Sequence, residues 1–143
     1  MCACSRLAGA WLYGPQISRE DIKILPNAIE VEKYHYMPLM RKEMRNKLGI
    51  EDKIVIGNGG RYCYPKNQEF LLRVFAKAVR QNKKLFLILI GEGELEKKIR
   101  DLIKKLEIEN NVLCLDWQDN VEDYLQAMDI FCLPSFLKDC RFR

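Results

Sequence analysis

The sequence predicts an α/β fold in which a parallel β-sheet has helices on both faces. From residue 53 onward, short apolar segments alternate with amphipathic helical segments. Two of the apolar segments, Leu85–Ile90 and residues 130–133, run without polar alternation, as expected when helices cover both faces of a parallel sheet. Strands that alternate with helices in this way imply right-handed βαβ crossovers.

The elements follow from the periodicity of apolar residues and from the positions of glycine and proline. Upstream, we predict a weak helix over 6–13, a strand over 21–25, an extended linker over 34–38 and a charged helix over 40–48 that ends at Gly49. Downstream, the predicted strands are 54–57, 85–90, 112–115 and 130–133, and the predicted helices between them are 67–81, 94–106 and 121–128.

Composition limits the classes of function. The chain has 143 residues, is 48% hydrophobic and carries a formal net charge of +4, which suits one globular domain. The positive charge is spread over helices that also carry acidic residues, so we expect no nucleic-acid partner. No segment approaches the roughly 18 continuous apolar residues of a membrane span. Cys114 and Cys132 lie in apolar runs typical of reduced, packed thiols, which favours a cytoplasmic location, and the single histidine gives no support for a metal site.

The segment after the strand at 54–57 has the features of an anion site. Gly60 is followed by Arg61 and Lys66, and a helix begins immediately afterwards. Helix N-termini carry unpaired N–H groups and a positive dipole end, and glycine allows an anion to approach the backbone. Cations at this position oppose the dipole unless an anion is bound, so a phosphate ligand is the first expectation.

Two common phosphate motifs do not fit. Residues 60–67 approach a P-loop, but Pro65 replaces its second glycine and Asn67 replaces the magnesium-binding hydroxyl. Gly91 and Gly93 match two glycines of a dinucleotide fingerprint, but Glu96 stands where the third is required.

A third pattern fits better. The ordered set ILPNAI (24–29), Gly60-Arg61 with Lys66-Asn67, Gly91-Glu92-Gly93, 112–120 and AMDIFCLPS (127–135) resembles the family 4 retaining glycosyltransferases. The resemblance covers residues 3–136. It implies part of a GT-B architecture, in which two Rossmann-like domains enclose the active site, and it implies sugar transfer from a nucleotide-sugar donor in bacterial-type glycan or polysaccharide synthesis.

By this resemblance, Arg61 and Lys66 would hold the donor diphosphate and stabilise it as a leaving group. The donor would be a substrate, with no cofactor and no metal. Trp117 would lie in the loop that receives the base. The remaining implied substrate-binding residues are Gly60, Gly91, Gly93 and Ser135.

Each assignment has a simpler structural alternative. Arg61 and Lys66 would then be ordinary surface cations, the glycines would only terminate strands, and Trp117 would only pack under its loop. The resemblance also fails after Phe136, where Lys138 occupies the position of a sugar-binding glutamate.

These departures shape the expected organisation. We expect 1–25 to be a remnant of an N-terminal domain, 26–52 a linker and helix, 53–136 a partial Rossmann-like domain and 137–143 a divergent tail, which together make a truncated, inactive fragment. An apolar sheet edge would be exposed and available for self-association. The parent enzyme would be compatible with a peripheral position on a membrane. The alternative function is a noncatalytic nucleotide-binding or protein-interaction module.

Overall fold

The computed structural model describes residues 1–14 and 22–136. The chain divides into two compact units, of which the first spans Met1–His35 and the second begins at Tyr36. No helix in the described ranges is long and apolar enough to cross a membrane.

The first unit contains a short βαβ arrangement. Strand β1 (Cys2–Ala3) pairs in parallel with β2 (Lys23–Ile24), and helix α1 (Arg6–Tyr13) lies between them in sequence. Ser5 caps the helix, because its Oγ accepts a hydrogen bond of 3.1 Å from the Ala8 N–H. The predicted helix over 6–13 is confirmed. The predicted strand over 21–25 is shorter, and its first residue lies outside the described residues.

The second unit is built on a parallel sheet whose strands are joined by helices. Its strands are β3 (Ile54–Gly59), β4 (Leu85–Ile90), β5 (Val112–Leu115) and β6 (Ile130–Phe131), and its helices are α2 (Pro38–Leu48), α3 (Gln68–Gln81), α4 (Glu96–Lys105) and α5 (Val121–Ala127). The strand order is β5-β4-β3-β6. The α/β fold with flanking helices is therefore confirmed.

Alternate residues of β4 pack into the two halves of the core. Leu87 and Leu89 are fully buried in the cluster formed with α3 and α4. Ile88 and Ile90 are buried in the cluster formed with α2 and α5. This alternation explains why the strand sequence is continuously apolar.

Asp129 connects α2 to the start of β6. Its carboxylate accepts a hydrogen bond from the Val55 N–H (2.7 Å) and pairs with Arg41 and Arg45. Arg45, whose side chain is almost completely buried, also donates to the Ala127 carbonyl (2.9 Å). Hydrogen bonds to the Val55 N–H and to the two arginines outweigh the cost of burial and lower the pKa of Asp129.

Several predicted boundaries were wrong by a few residues. Helix α2 begins at Pro38 rather than at residue 40, because proline fits the first turn of a helix. Helix α4 begins at Glu96 rather than at residue 94, because Gly93 has φ of +153° and Leu95 is the N-cap residue with non-helical backbone angles. The linker expected over 34–38 is not extended at Tyr34, where a 3₁₀ turn ends.

Strand β6 ends earlier than predicted, at Phe131, because only Ile130 and Phe131 pair with β3. Both side chains are about half exposed, at 50% and 47%. The predicted exposure of apolar side chains at this strand is confirmed.

Candidate functional site

The strand order creates a crevice at the carboxyl ends of β3 and β6. The chain leaves β3 toward β4 on one side, and β6 returns to pair with β3 on the other side. In open parallel sheets, ligands bind at this change of direction. The loop after β3 and the segment after β6 are therefore the first places to look for a functional site.

The loop after β3 places Lys66 over Gly60. Gly60 has φ of +137°, a conformation that favours glycine, and its N–H donates to the Ile90 carbonyl at 2.9 Å. Lys66 ends a 3₁₀ turn, and its Cε lies 3.8 Å from the position that a Cβ on Gly60 would occupy. The Lys66 side chain is half-buried and passes close to Gly60 at the end of β3.

Glycines allow the loops after β3 and β4 to pack backbone against backbone. A Cβ on Gly91 would come within 2.2 Å of the Gly60 carbonyl oxygen. A Cβ on Gly93 would come within 2.6 Å of the Tyr62 carbonyl oxygen. Both glycines also have positive φ, so larger residues would be strained as well as crowded. Gly91 is buried by this packing, and its backbone lies directly against that of Gly60 in the loop after β3.

Tyr62 fixes the relation between these two loops. Its N–H donates to the Glu92 carbonyl (2.8 Å), and its carbonyl accepts from the Leu95 N–H (3.1 Å). The side chain is buried, and its hydroxyl finds no hydrogen-bond partner among the described residues. Burial, reinforced by the nearby Cys114 thiol, raises the pKa of Tyr62 well above its usual value, so the phenol stays neutral.

An open cavity of about 520 Å³ lies where the loops after β3, β4 and β5 meet. Three predicted site residues, Arg61, Gly93 and Trp117, line it together. The Trp117 side chain is 69% exposed, which argues against a role as packing beneath its loop. Such an exposed indole offers a flat surface on which a base can stack. Gly60, Lys66, Gly91 and Ser135 are not among the described residues that line this cavity.

Charges around the cavity are partly paired. The Arg61 Nε donates to Glu94 Oε2 at 3.2 Å, and the Arg61 side chain is 74% exposed. Arg100 pairs with Glu96 (2.9 Å) and with Asp116 (3.1 Å). Hydrogen bonding to Glu96 raises the pKa of Arg100, which remains a cation.

Lys66 forms no ion pair within the part of the chain that the structure describes. An anion bound near the end of β3 could therefore use Lys66 directly, but it would have to compete with Glu94 for the Nε–H of Arg61.

Side-chain amides connect the loop after β3 to the segment after β6. Asn58 Nδ2 donates to the Cys132 carbonyl at 2.8 Å, and Asn67 Nδ2 donates to the Pro134 carbonyl at 3.2 Å. The Phe136 N–H also donates to the Pro65 carbonyl at 3.0 Å. These bonds hold half-buried Ser135 in the segment opposite the loop of Arg61 and Lys66.

Sequence analysis missed the structural roles of Asn58 and Glu94. Asn58 interrupts an otherwise apolar and glycine-containing strand, which was a usable signal that its amide has a specific partner. Glu94 lies 33 residues after Arg61, and nothing in their spacing predicts that the two side chains meet.

With this geometry in place, comparison with known proteins defines the class. The profile of the family described as "Glycosyl transferases group 1" matches residues 40–138. The chain therefore belongs to the group 1 glycosyltransferases, and the resemblance found in the sequence is confirmed.

Individual relatives support the same class. The putative glycosyltransferase EpsF of Bacillus subtilis is 29% identical over 137 residues, which are 94% of this chain and 36% of that protein. The uncharacterized glycosyltransferase MJ1059 of Methanocaldococcus jannaschii is 34% identical over 117 residues, which are 82% of this chain and 29% of that protein. The chain thus spans about a third of the length of these curated relatives.

Solved structures share the fold. Anabaena HepE in complex with UDP superposes with a TM-score of 0.77 at 22% identity, over 95% of this chain and 38% of HepE. WaaG, a glycosyltransferase involved in lipopolysaccharide biosynthesis, gives 0.78 at 21% identity, over 96% of this chain and 38% of WaaG. HepE was also solved with UDP-glucose.

Proposed function

We propose that this chain provides the donor-nucleotide half of a glycosyltransferase active site, for transfer of a sugar from a nucleotide-sugar to an acceptor. The observation that carries the proposal is the shared cavity of Arg61, Gly93 and Trp117, with Lys66 in the same loop as Arg61. A cation beside an exposed aromatic ring suits a ligand that joins a base to a diphosphate.

The proposed chemistry is stabilisation of the leaving group. As the bond from the sugar to the diphosphate breaks, negative charge builds on the phosphate oxygens. Arg61 offers a planar set of N–H donors and Lys66 offers a point charge, and both favour the charged product. In this proposal the donor is a substrate, and the two cations act without a cofactor.

Other aspects of the parent activity belong to the same proposal. We assign it to bacterial-type glycan or polysaccharide synthesis in the cytoplasm, at or near a membrane surface. The support is the membership of the group 1 glycosyltransferases, together with the likeness of fold to WaaG, whose description names lipopolysaccharide biosynthesis. Lys138 stands at the position where the resemblance implies a sugar-binding glutamate, so we expect these 143 residues to bind the donor without transferring its sugar.

Calorimetric titration with UDP and GDP tests the donor site. We expect the wild-type chain to bind at least one of the two and the Arg61→Ala/Lys66→Ala variant to lose that binding. A matched control is Lys77→Ala/Arg80→Ala, which removes the same charge from exposed positions on α3. Equal affinity in the wild type and in the Arg61/Lys66 variant would refute the site, provided that circular dichroism reports the same fold.

A noncatalytic interaction module is the second candidate function, and the exposed side chains of β6 favour it. Ile130, Phe131 and Leu133 are all about half exposed or more. Such a surface would support self-association or binding of another protein. Sedimentation equilibrium tests self-association: a concentration-dependent dimer that Phe131→Glu abolishes would support it, and a monomer at all concentrations would count against it.

A further inference from the structure

The ion pair between Arg61 and Glu94 bears directly on how the donor site would fill. Arg61 is the one cation among the described residues that line the cavity, and its Nε–H is already used by the Glu94 carboxylate at 3.2 Å. A diphosphate oxygen is recognised by the same N–H donors. A diphosphate oxygen that takes the Nε–H of Arg61 must therefore replace the Glu94 carboxylate at that donor.

The other carboxylates near the cavity do not compete for Arg61 in this way. Glu96 and Asp116 are both engaged by Arg100. Glu92 lines the cavity and forms no ion pair among the described residues. Glu92 and Glu94 thus stand two residues apart in one loop, and only Glu94 contacts the arginine.

We propose that Glu94 is an internal counter-ion that lowers the affinity of the donor site for diphosphates by occupying the Nε–H of Arg61 until a ligand displaces it. The inference rests on the proposed function, since it assumes that Arg61 contacts a diphosphate. It adds a residue that determines affinity. Because the nucleoside diphosphate left after transfer would be held by the same arginine, Glu94 would also favour its release.

The size of the effect follows from the exposure of the pair. Both side chains are more than half exposed, at 74% and 53%, so solvent screens their attraction. Loss of the competing carboxylate is expected to tighten UDP binding by about two- to fivefold. The gain should be larger at about 0.01 M ionic strength than at about 0.15 M, because the Debye length falls from about 30 Å to about 8 Å.

The experiment is a double-mutant cycle measured by calorimetry with UDP. The variants are Glu94→Gln, Arg61→Ala and the two combined, and Glu92→Gln is the matched control because it removes the same charge from the same loop. We expect Glu94→Gln to tighten binding in the wild-type background and to have no effect in the Arg61→Ala background. Glu92→Gln should change the affinity less than Glu94→Gln.

The outcomes separate this inference from the proposed function. If UDP binding depends on Arg61 and Lys66 but Glu94→Gln leaves the affinity unchanged, Glu94 is not a counter-ion and the donor site stands. Glu92→Gln could tighten UDP binding as much as Glu94→Gln does, or Glu94→Gln could still tighten binding in the Arg61→Ala background. Either result would mean that the carboxylates of this loop simply repel the diphosphate, and it would overturn the inference. If the wild type and all variants bind neither UDP nor GDP, both proposals fall.

Discussion

Asn58 and Cys132 join the two sides of the candidate crevice through one partly buried hydrogen bond. Asn58 Nδ2 lies 2.8 Å from the Cys132 carbonyl oxygen, and Asn58 is only 2% exposed. Cys132 in turn donates its N–H to the Gly57 carbonyl at 2.8 Å. The segment that leads to Ser135 is therefore fixed to the end of β3 by a side chain as well as by the backbone.

Loss of this amide should destabilise the fold. In Asn58→Ala, the Cys132 carbonyl loses its side-chain donor, and we expect the free energy of unfolding to fall by about 1 to 3 kcal/mol. Asn58→Asp keeps the shape but places a carboxylate against that carbonyl, so at neutral pH it should be the more damaging change. Urea denaturation of both variants checks this order, and an Asp variant as stable as the wild type would contradict it.

Gly91 should tolerate substitution less well than another glycine with positive φ. A Cβ on Gly91 would overlap the Gly60 carbonyl oxygen at 2.2 Å, whereas a Cβ on Gly49 would meet nothing within 4 Å. We expect Gly91→Ala to cost about 2 to 4 kcal/mol. Gly49→Ala should cost only about 1 to 2 kcal/mol, which is the cost of placing a residue with a Cβ in the left-handed backbone conformation. Equal losses in thermal or urea denaturation would show that the contact between the two loops does not constrain the fold.

The sequence predicted those parts of the fold that depend on continuous patterns. Strands β4 and β5 have the predicted bounds because their apolar runs end sharply at charged, polar or glycine residues. The end of β6 was missed because Leu133 is as apolar as the paired residues, and only the register with β3 decides where pairing stops. Pairing partners are a property of the folded sheet and not of the strand sequence.

For the candidate site, the sequence predicted individual residues but not the side chains that contact them. Arg61, Gly93 and Trp117 were chosen separately, and the structure places them around one cavity. In the sequence, Glu94 is one of three glutamates within residues 92–96, and nothing distinguishes it from the other two. Its contact with Arg61 depends on the side-chain conformations of two residues from different loops, which local sequence does not encode.

Asp129 should make stability depend on pH at acidic values. Its pKa is lowered in the folded chain, below the value of about 3.9 for an unperturbed aspartate, so its contribution is fully present above that value and is lost as the pH falls toward the folded pKa. Asp129→Asn should lower the free energy of unfolding at neutral pH by about 1 to 3 kcal/mol. It should also weaken the dependence of that free energy on pH at acidic values. Urea midpoints measured from pH 7 to pH 2 test both effects. Asp101→Asn, at an exposed position of α4, is the control and should leave the profile unchanged.

Trp117 provides the sharpest test of whether a base occupies the cavity. If the base stacks on its exposed indole, Trp117→Ala should weaken UDP binding by about fivefold or more and leave the affinity for pyrophosphate unchanged. Trp117→Phe retains an aromatic face and should recover most of the loss. Because the side chain is 69% exposed, neither change should greatly affect the unfolding midpoint. Calorimetry with the two ligands distinguishes the explanations: an equal loss for UDP and pyrophosphate would mean that Trp117 only shapes the loop near Arg61, and no loss for either would place the base elsewhere.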